Sequence, residues 1–120
     1  MKITSFSPLI VSADADNAIK LFEELGFEKR HCNEDITAKA SYDVTMKDAD
    51  GNRIDVTKIA QLPKDITLIR MNVDDFDEAY AFLTSRGFKQ QGNTVELPSS
   101  KSAMMVSPSG FAFDLCQHLK

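Results

Sequence analysis

The sequence predicts an α+β fold, a single domain over 1–120 made of two tandem strand–helix–strand–strand–strand units of about 1–60 and 61–120. Three observations predict it. A helical segment recurs at an offset of 61 residues, and a strand–turn–strand segment recurs in the same order at an offset of 59. The chain of 120 residues, 42% of them apolar, is long enough for one core and too short for two independent ones.

The helical segment Asp14 to Phe27 aligns without gaps on Asp75 to Phe88. Ala15, Ala18, Ile19, Phe22 and Leu25 have the spacing of one helix face, as do Phe76, Ala79, Tyr80 and Leu83. An Asp opens each helix, and Asp75 with Glu78 three residues on has the form of a capping box. Gly26 and Gly87 suit the left-handed position just past a helix end, and a Phe then begins the next strand.

The strand–turn–strand segment Met46 to Val56 aligns on Met105 to Leu115, with Asp50-Gly51 and Ser109-Gly110 as turn dipeptides between alternating apolar residues. A strand precedes each helix, Ile3 to Val11 and Ile66 to Val73. Another follows each, Phe27 to Asn33 and Phe88 to Leu97, the latter broken at Gly92-Asn93. The link from Ala60 to Lys64 carries Pro63. One unit buries only one side of a small sheet, so the two must share a core or pair with a second chain. Three strands after each helix separate this fold from a ferredoxin-like sandwich. The distinction turns on Phe27 to Asn33, where Glu28, Lys29 and Arg30 are consecutive charges without alternation.

Composition removes several functions. With 14 basic and 18 acidic residues the net charge is −4, which argues against general binding to nucleic acid, whose affinity comes from Lys and Arg on phosphates. No apolar run approaches the roughly 20 residues of a membrane span. The start, Met1 to Ser5, lacks the apolar core of a signal peptide, and two cysteines are too few for a disulfide framework, so the expected setting is the cytoplasm. Phosphate-cradling glycine loops, nucleophile-elbow motifs, Cys-x-x-Cys and zinc-type His pairs do not occur in the sequence.

Two such units in about 120 residues, helices ending Leu25-Gly26-Phe27 and Arg86-Gly87-Phe88, and the closing run Asp50-Gly51-Asn52-Arg53-Ile54-Asp55-Val56 resemble the vicinal oxygen chelate superfamily. Glyoxalase I, extradiol dioxygenases, fosfomycin-resistance enzymes and metal-free bleomycin-binding resistance proteins belong to it. The resemblance implies a glyoxalase-like, curved, half-barrel mixed sheet with helices outside and a concave face that carries the active groups. It also implies metal ligands on the first and last strand of each unit, usually His, Gln or another oxygen donor on the first and Glu on the last. Those positions map here onto Ser7 and Leu68, and onto Asp55 and Asp114.

Strand alternation can be read without the family. Ile69, Met71 and Val73 share one face and Leu68, Arg70 and Asn72 the other; Phe113 and Leu115 oppose Asp114 and Cys116; Ile54 and Val56 oppose Arg53, Asp55 and Thr57. The apolar faces belong under the helices. The other faces are the ones the resemblance assigns to the cavity, and with the mapped position Ser7 they give the candidate ligand-binding residues Asp55, Arg70, Asn72, Asp114, Ser7, Leu68 and Cys116. Arg70 and Arg53 are each placed to neutralise an aspartate as a structural ion pair.

Leu68 cannot ligate, Ser7 is a poor neutral donor, and Asp is one methylene shorter than Glu, so no metal and no cofactor are expected. His31, early on the second strand, and His118, near the end of the sequence, read as exposed or structural. Cys32 and Cys116 read as ordinary small side chains rather than nucleophiles. Tyr42, Val44, Met46, Met104 and Met105 suit either an adaptable apolar pocket or the core. The expected function is metal-independent binding of a small organic ligand, in the manner of the bleomycin-resistance type. The alternative is an atypical lyase, isomerase or dioxygenase with a divalent metal near Asp55 and Asp114, and the choice between enzyme and binder stays open. The resemblance further implies a homodimer.

Overall fold

The computed structural model describes residues 1–34 and 42–118, with the side chains of all of these except 31–34, 42 and 97. Within them the order is β1 (Ile3–Ser12), α1 (Ala15–Glu24), β2 (Glu28–Glu34), β3 (Tyr42–Lys47), β4 (Arg53–Lys58), β5 (Ile66–Val73), α2 (Phe76–Ser85), β6 (Lys89–Leu97), β7 (Ser100–Val106) and β8 (Ala112–His118). The fold is α+β, with two helices and an eight-stranded mixed sheet that does not close. No helix among the described residues is long and apolar enough to cross a membrane.

Residues 8–67 form one compact unit. The second half of β1 pairs in parallel with β4, from Leu9 opposite Asp55 to Ser12 opposite Lys58; β3 pairs antiparallel with both β4 and β2. Alternation puts Val44, Met46, Ile54 and Val56 on the face under α1, where Ala15 and Ile19 meet them and Ile10, Ala18, Phe22 and Phe27 complete the cluster. The charged run Glu28 to Arg30 does form a strand. It lies on the edge, where charge is tolerated, and the register shifts between Lys29 and His31.

Residues 1–7 and 68–120 form the other unit. Here β5 pairs in parallel with β8, β8 antiparallel with β7, and β7 antiparallel with β6, with a shift between Gln91 and Val95 around Gly92. The core under α2 is Met71, Val73, Phe76, Ala79, Leu83, Ala103, Met105 and Leu115. The start of β1 belongs to this unit because it neighbours β5, and the residues flanking the two strands bond as well: Asp74 N–H donates to the Lys2 carbonyl, and Lys2 N–H donates to Asp74 Oδ1. Each half of β1 therefore completes a different strand set, which a division of the chain near residue 60 does not anticipate.

The repeats share their punctuation. Phe27 N–H reaches back to the Phe22 carbonyl and Phe88 N–H to that of Leu83, across Gly26 at φ 106° and Gly87 at φ 92°. Each hairpin is pinned by the side chain before its turn. Asp48 Oδ1 accepts from the N–H groups of Asp50 and Asn52, and Ser107 Oγ from those of Gly110 and Phe111.

Three expectations need correction. Asp75 caps α2 by accepting from Glu78 N–H at 3.1 Å, but Asp14 makes no side-chain cap, because its carboxylate takes the Asn17 amide instead. Glu78 does not complete a capping box; its carboxylate binds the Met1 α-amino group. Leu25 leaves the apolar stripe and is 64% exposed, because it is the C-cap residue, past the end of α1 at Glu24.

Candidate functional site

In the unit of residues 1–7 and 68–120, the sheet face away from α2 collects most of the candidate residues. Met71 and Val73 turn under the helix, so Leu68, Arg70 and Asn72 project the opposite way. On β8, Leu115 turns under the helix, so Asp114 and Cys116 project with them. The parallel register sets Arg70 opposite Asp114 and Asn72 opposite Cys116. Arg70 Nε donates to Asp114 Oδ2 at 2.8 Å, with both side chains mostly buried. Leu68 and Cys116 are buried, and the Cys116 thiol is not in a disulfide.

Beside this pair lies a run of polar groups, of which Asn72 and Ser7 are buried and Ser5 half-buried. The Asn72 amide donates through Nδ2 to Ser5 Oγ, and Ser7 follows two residues along β1, on the same strand face as Ser5. Asn72 is 3% exposed and Ser7 2%, and neither Asn72 Oδ1 nor Ser7 Oγ has a hydrogen-bond partner among the described residues. A buried polar atom left so costs about 1–3 kcal/mol, which makes both atoms exceptions that require a reason. The family resemblance mapped Ser7 and strand alternation placed Asn72, but neither reached Ser5. Its signal was present, since Ser5 and Ser7 are successive positions on one strand face.

In the unit of residues 8–67, Asp55 is fully buried on the β4 face away from α1. Arg53, two residues along the same strand and so on the same face, holds it with two bonds, Nε to Oδ1 at 2.9 Å and Nη2 to Oδ2 at 3.1 Å. Opposite it lie Leu9 on β1 and Thr45 on β3. Thr57 Oγ1 donates to Asp43 at 3.2 Å, and Ser12 Oγ to Asp65 at 2.8 Å.

The remaining candidates separate cleanly. Val44, Met46 and Met105 are core residues under the helices, not pocket lining, while Met104 lies opposite Asp114 on the other face. His118 is exposed. The side chains of His31, Cys32 and Tyr42 lie outside the described residues.

The donor set does not fit a divalent ion of the kind the resemblance implies. Leu68 offers no lone pair, and a guanidinium already engages each aspartate, setting a positive charge against the carboxylate that a cation would need. Among the described residues no group of three or more His, Cys, Asp or Glu side chains is gathered to hold a metal.

No family model matches the chain, and no curated protein matches it. Solved structures do. Methylmalonyl-CoA epimerase from Mycobacterium tuberculosis is 15% identical, with 98% of this chain and 90% of that one covered at a TM-score of 0.71. A glyoxalase/bleomycin resistance protein/dioxygenase superfamily member from Vibrio splendidus 12B01 is 17% identical, with 96% and 98% covered at 0.61. A glyoxalase I mutant from Zea mays is 16% identical, with 97% of this chain and 43% of that one covered at 0.68. At these identities the likeness is one of fold.

Proposed function

We propose that this chain, which has the vicinal oxygen chelate fold, binds a small organic molecule without a divalent metal, on the face carrying Ser7, Leu68, Arg70, Asn72, Asp114 and Cys116. The observation that carries the reading is the engagement of the two candidate carboxylates by arginine. Arg70 donates to one oxygen of Asp114 and Arg53 to both oxygens of Asp55, and each guanidinium neutralises the carboxylate charge that would attract a hard cation. What remains is a face of buried polar and apolar groups, suited to binding by shape and hydrogen bonds. A homodimer, implied by the family resemblance, is proposed with it, and a solution mass twice that of the chain checks it.

Two measurements test the binding reading. A thermal-shift screen against a broad metabolite and antibiotic panel, run with a chelator present, is expected to find a compound that raises Tm, since a ligand that binds only the folded state stabilises it. Calorimetric titration with Mn²⁺, Co²⁺, Ni²⁺ and Zn²⁺ is expected to show no stoichiometric site. A stoichiometric ion that is lost in the Asp55→Ala, Asp114→Ala double variant would replace this reading with the lyase, isomerase or dioxygenase one.

A further inference from the structure

We infer that Ser7 and Asn72 form a hydrogen-bonding subsite for an uncharged ligand group that both donates and accepts, of the primary carboxamide class. The inference rests on the binding reading above and deepens it by naming the ligand chemistry. Ser7 Oγ and Asn72 Oδ1 are the two buried side-chain oxygens without a partner among the described residues, and both belong to the unit of residues 1–7 and 68–120. Their neighbours do not satisfy them. Ser5 takes only the Nδ2 end of the Asn72 amide, which fixes that amide and leaves its oxygen in need of a donor.

The chemistry of the two atoms selects the ligand group. Asn72 Oδ1 only accepts, so it repels a carboxylate and demands an N–H or O–H. Ser7 Oγ donates or accepts, so it can serve the carbonyl of the same group. Arg70, which would otherwise attract an anion, already carries the Asp114 carboxylate. A primary carboxamide meets these demands. Buried Leu68, on the same strand face as Asn72, suits an apolar body attached to the amide.

The test uses the full chain, nitrogen-15 labelled, with benzamide, N,N-dimethylbenzamide and benzoate as probes. Benzamide is expected to shift the resonances of Ser7 and Asn72, including the Asn72 side-chain amide. The dimethyl analogue, which lacks the donor, and benzoate, which carries the charge, are expected to bind at least about tenfold more weakly, because a site built to hydrogen-bond a group discriminates against its isostere. Ser7→Ala is expected to reduce the benzamide preference while leaving Tm unchanged or higher, since it deletes an unpaired buried hydroxyl. A hydroxyl kept for stability alone would instead lower Tm. Equal shifts from all three probes overturn the subsite and leave the binding reading standing. No shift at either residue also overturns it, and the binding reading falls with it only if the ligand panel fails too.

Discussion

Replacing Arg70 with leucine tests whether the guanidinium is what makes Asp114 tolerable on its face. The two charge centres lie about 4 Å apart in a setting between water and dry interior, where an effective dielectric near 20 gives an attraction of about 4 kcal/mol. Arg70 is 12% and Asp114 17% exposed, so water recovers part of this. Removing one member of a buried pair typically costs about 3–5 kcal/mol, and this partial exposure brings the expected loss for Arg70→Leu to about 2 kcal/mol. The repeat supplies its own rescue. Position 112 corresponds to Arg53 at the offset of 59, and Ala112 there is only half-buried. Arg70→Leu with Ala112→Arg rebuilds at Asp114 the along-strand arrangement that Arg53 makes at Asp55, and is expected to recover at least half of the loss. Urea unfolding, with the m-value checked for constancy, reads both numbers. A loss below about 0.5 kcal/mol for the single variant, the range of an exposed pair, would refute the reasoning, as would a double variant no more stable than the single.

Three other outcomes follow from the repeated punctuation. Gly26→Ala and Gly87→Ala each force a positive φ on alanine, at roughly 1–2 kcal/mol. Gly87→Ala should lose about 1 kcal/mol more, because its Cβ would stand 2.9 Å from Pro108 Cγ whereas that of Gly26 meets nothing; chemical denaturation of the two variants compares them. Asp75→Ala should cost about 1 kcal/mol through its lost cap, and Asp14→Ala, at a helix start without a cap bond, under about 0.5 kcal/mol by the same measurement. The Asn52 side chain, followed by nearby backbone N–H groups, holds the Asp48 carboxyl below its usual range. Its stabilising effect is therefore present above the unfolded-state pKa and lost as pH falls through the lower folded value. In Asn52→Ala, an NMR titration of Asp48 should show the pKa moving up towards that of an ordinary aspartate.

The helix side of the fold was legible because burial repeats itself. Met46 and Met105, Val56 and Leu115, and Phe27 and Phe88 hold matching places in the two cores, and the period-2 alternation that marks them is local to each strand. The same alternation also assigned Arg53, Asp55, Arg70, Asn72 and Asp114 to the opposite faces. What it could not supply was partnership, which depends on strand order and register. Arg53 reaches Asp55 along one strand, while Arg70 reaches Asp114 only because β5 and β8 run parallel and in register.

The duplication explains why the two aspartates solve the same problem by different routes. At the offset of 61 Leu9 corresponds to Arg70, and at the offset of 59 Arg53 corresponds to Ala112. Leu9 lies opposite Asp55 as Arg70 lies opposite Asp114. Each unit thus keeps its aspartate and one arginine, but the arginine stands on the neighbouring strand in one unit and on the aspartate's own strand in the other. A buried carboxylate without its cation is costly enough that losing the arginine at one position demands one at the other. The exchange leaves the two faces unlike. Beside Asp55, β1 presents the buried side chains of Leu9 and Val11, whereas beside Asp114, β5 presents Arg70 and the Asn72 amide, whose oxygen is unpartnered among the described residues. That asymmetry favours the Asp114 face as the one that takes a polar ligand group.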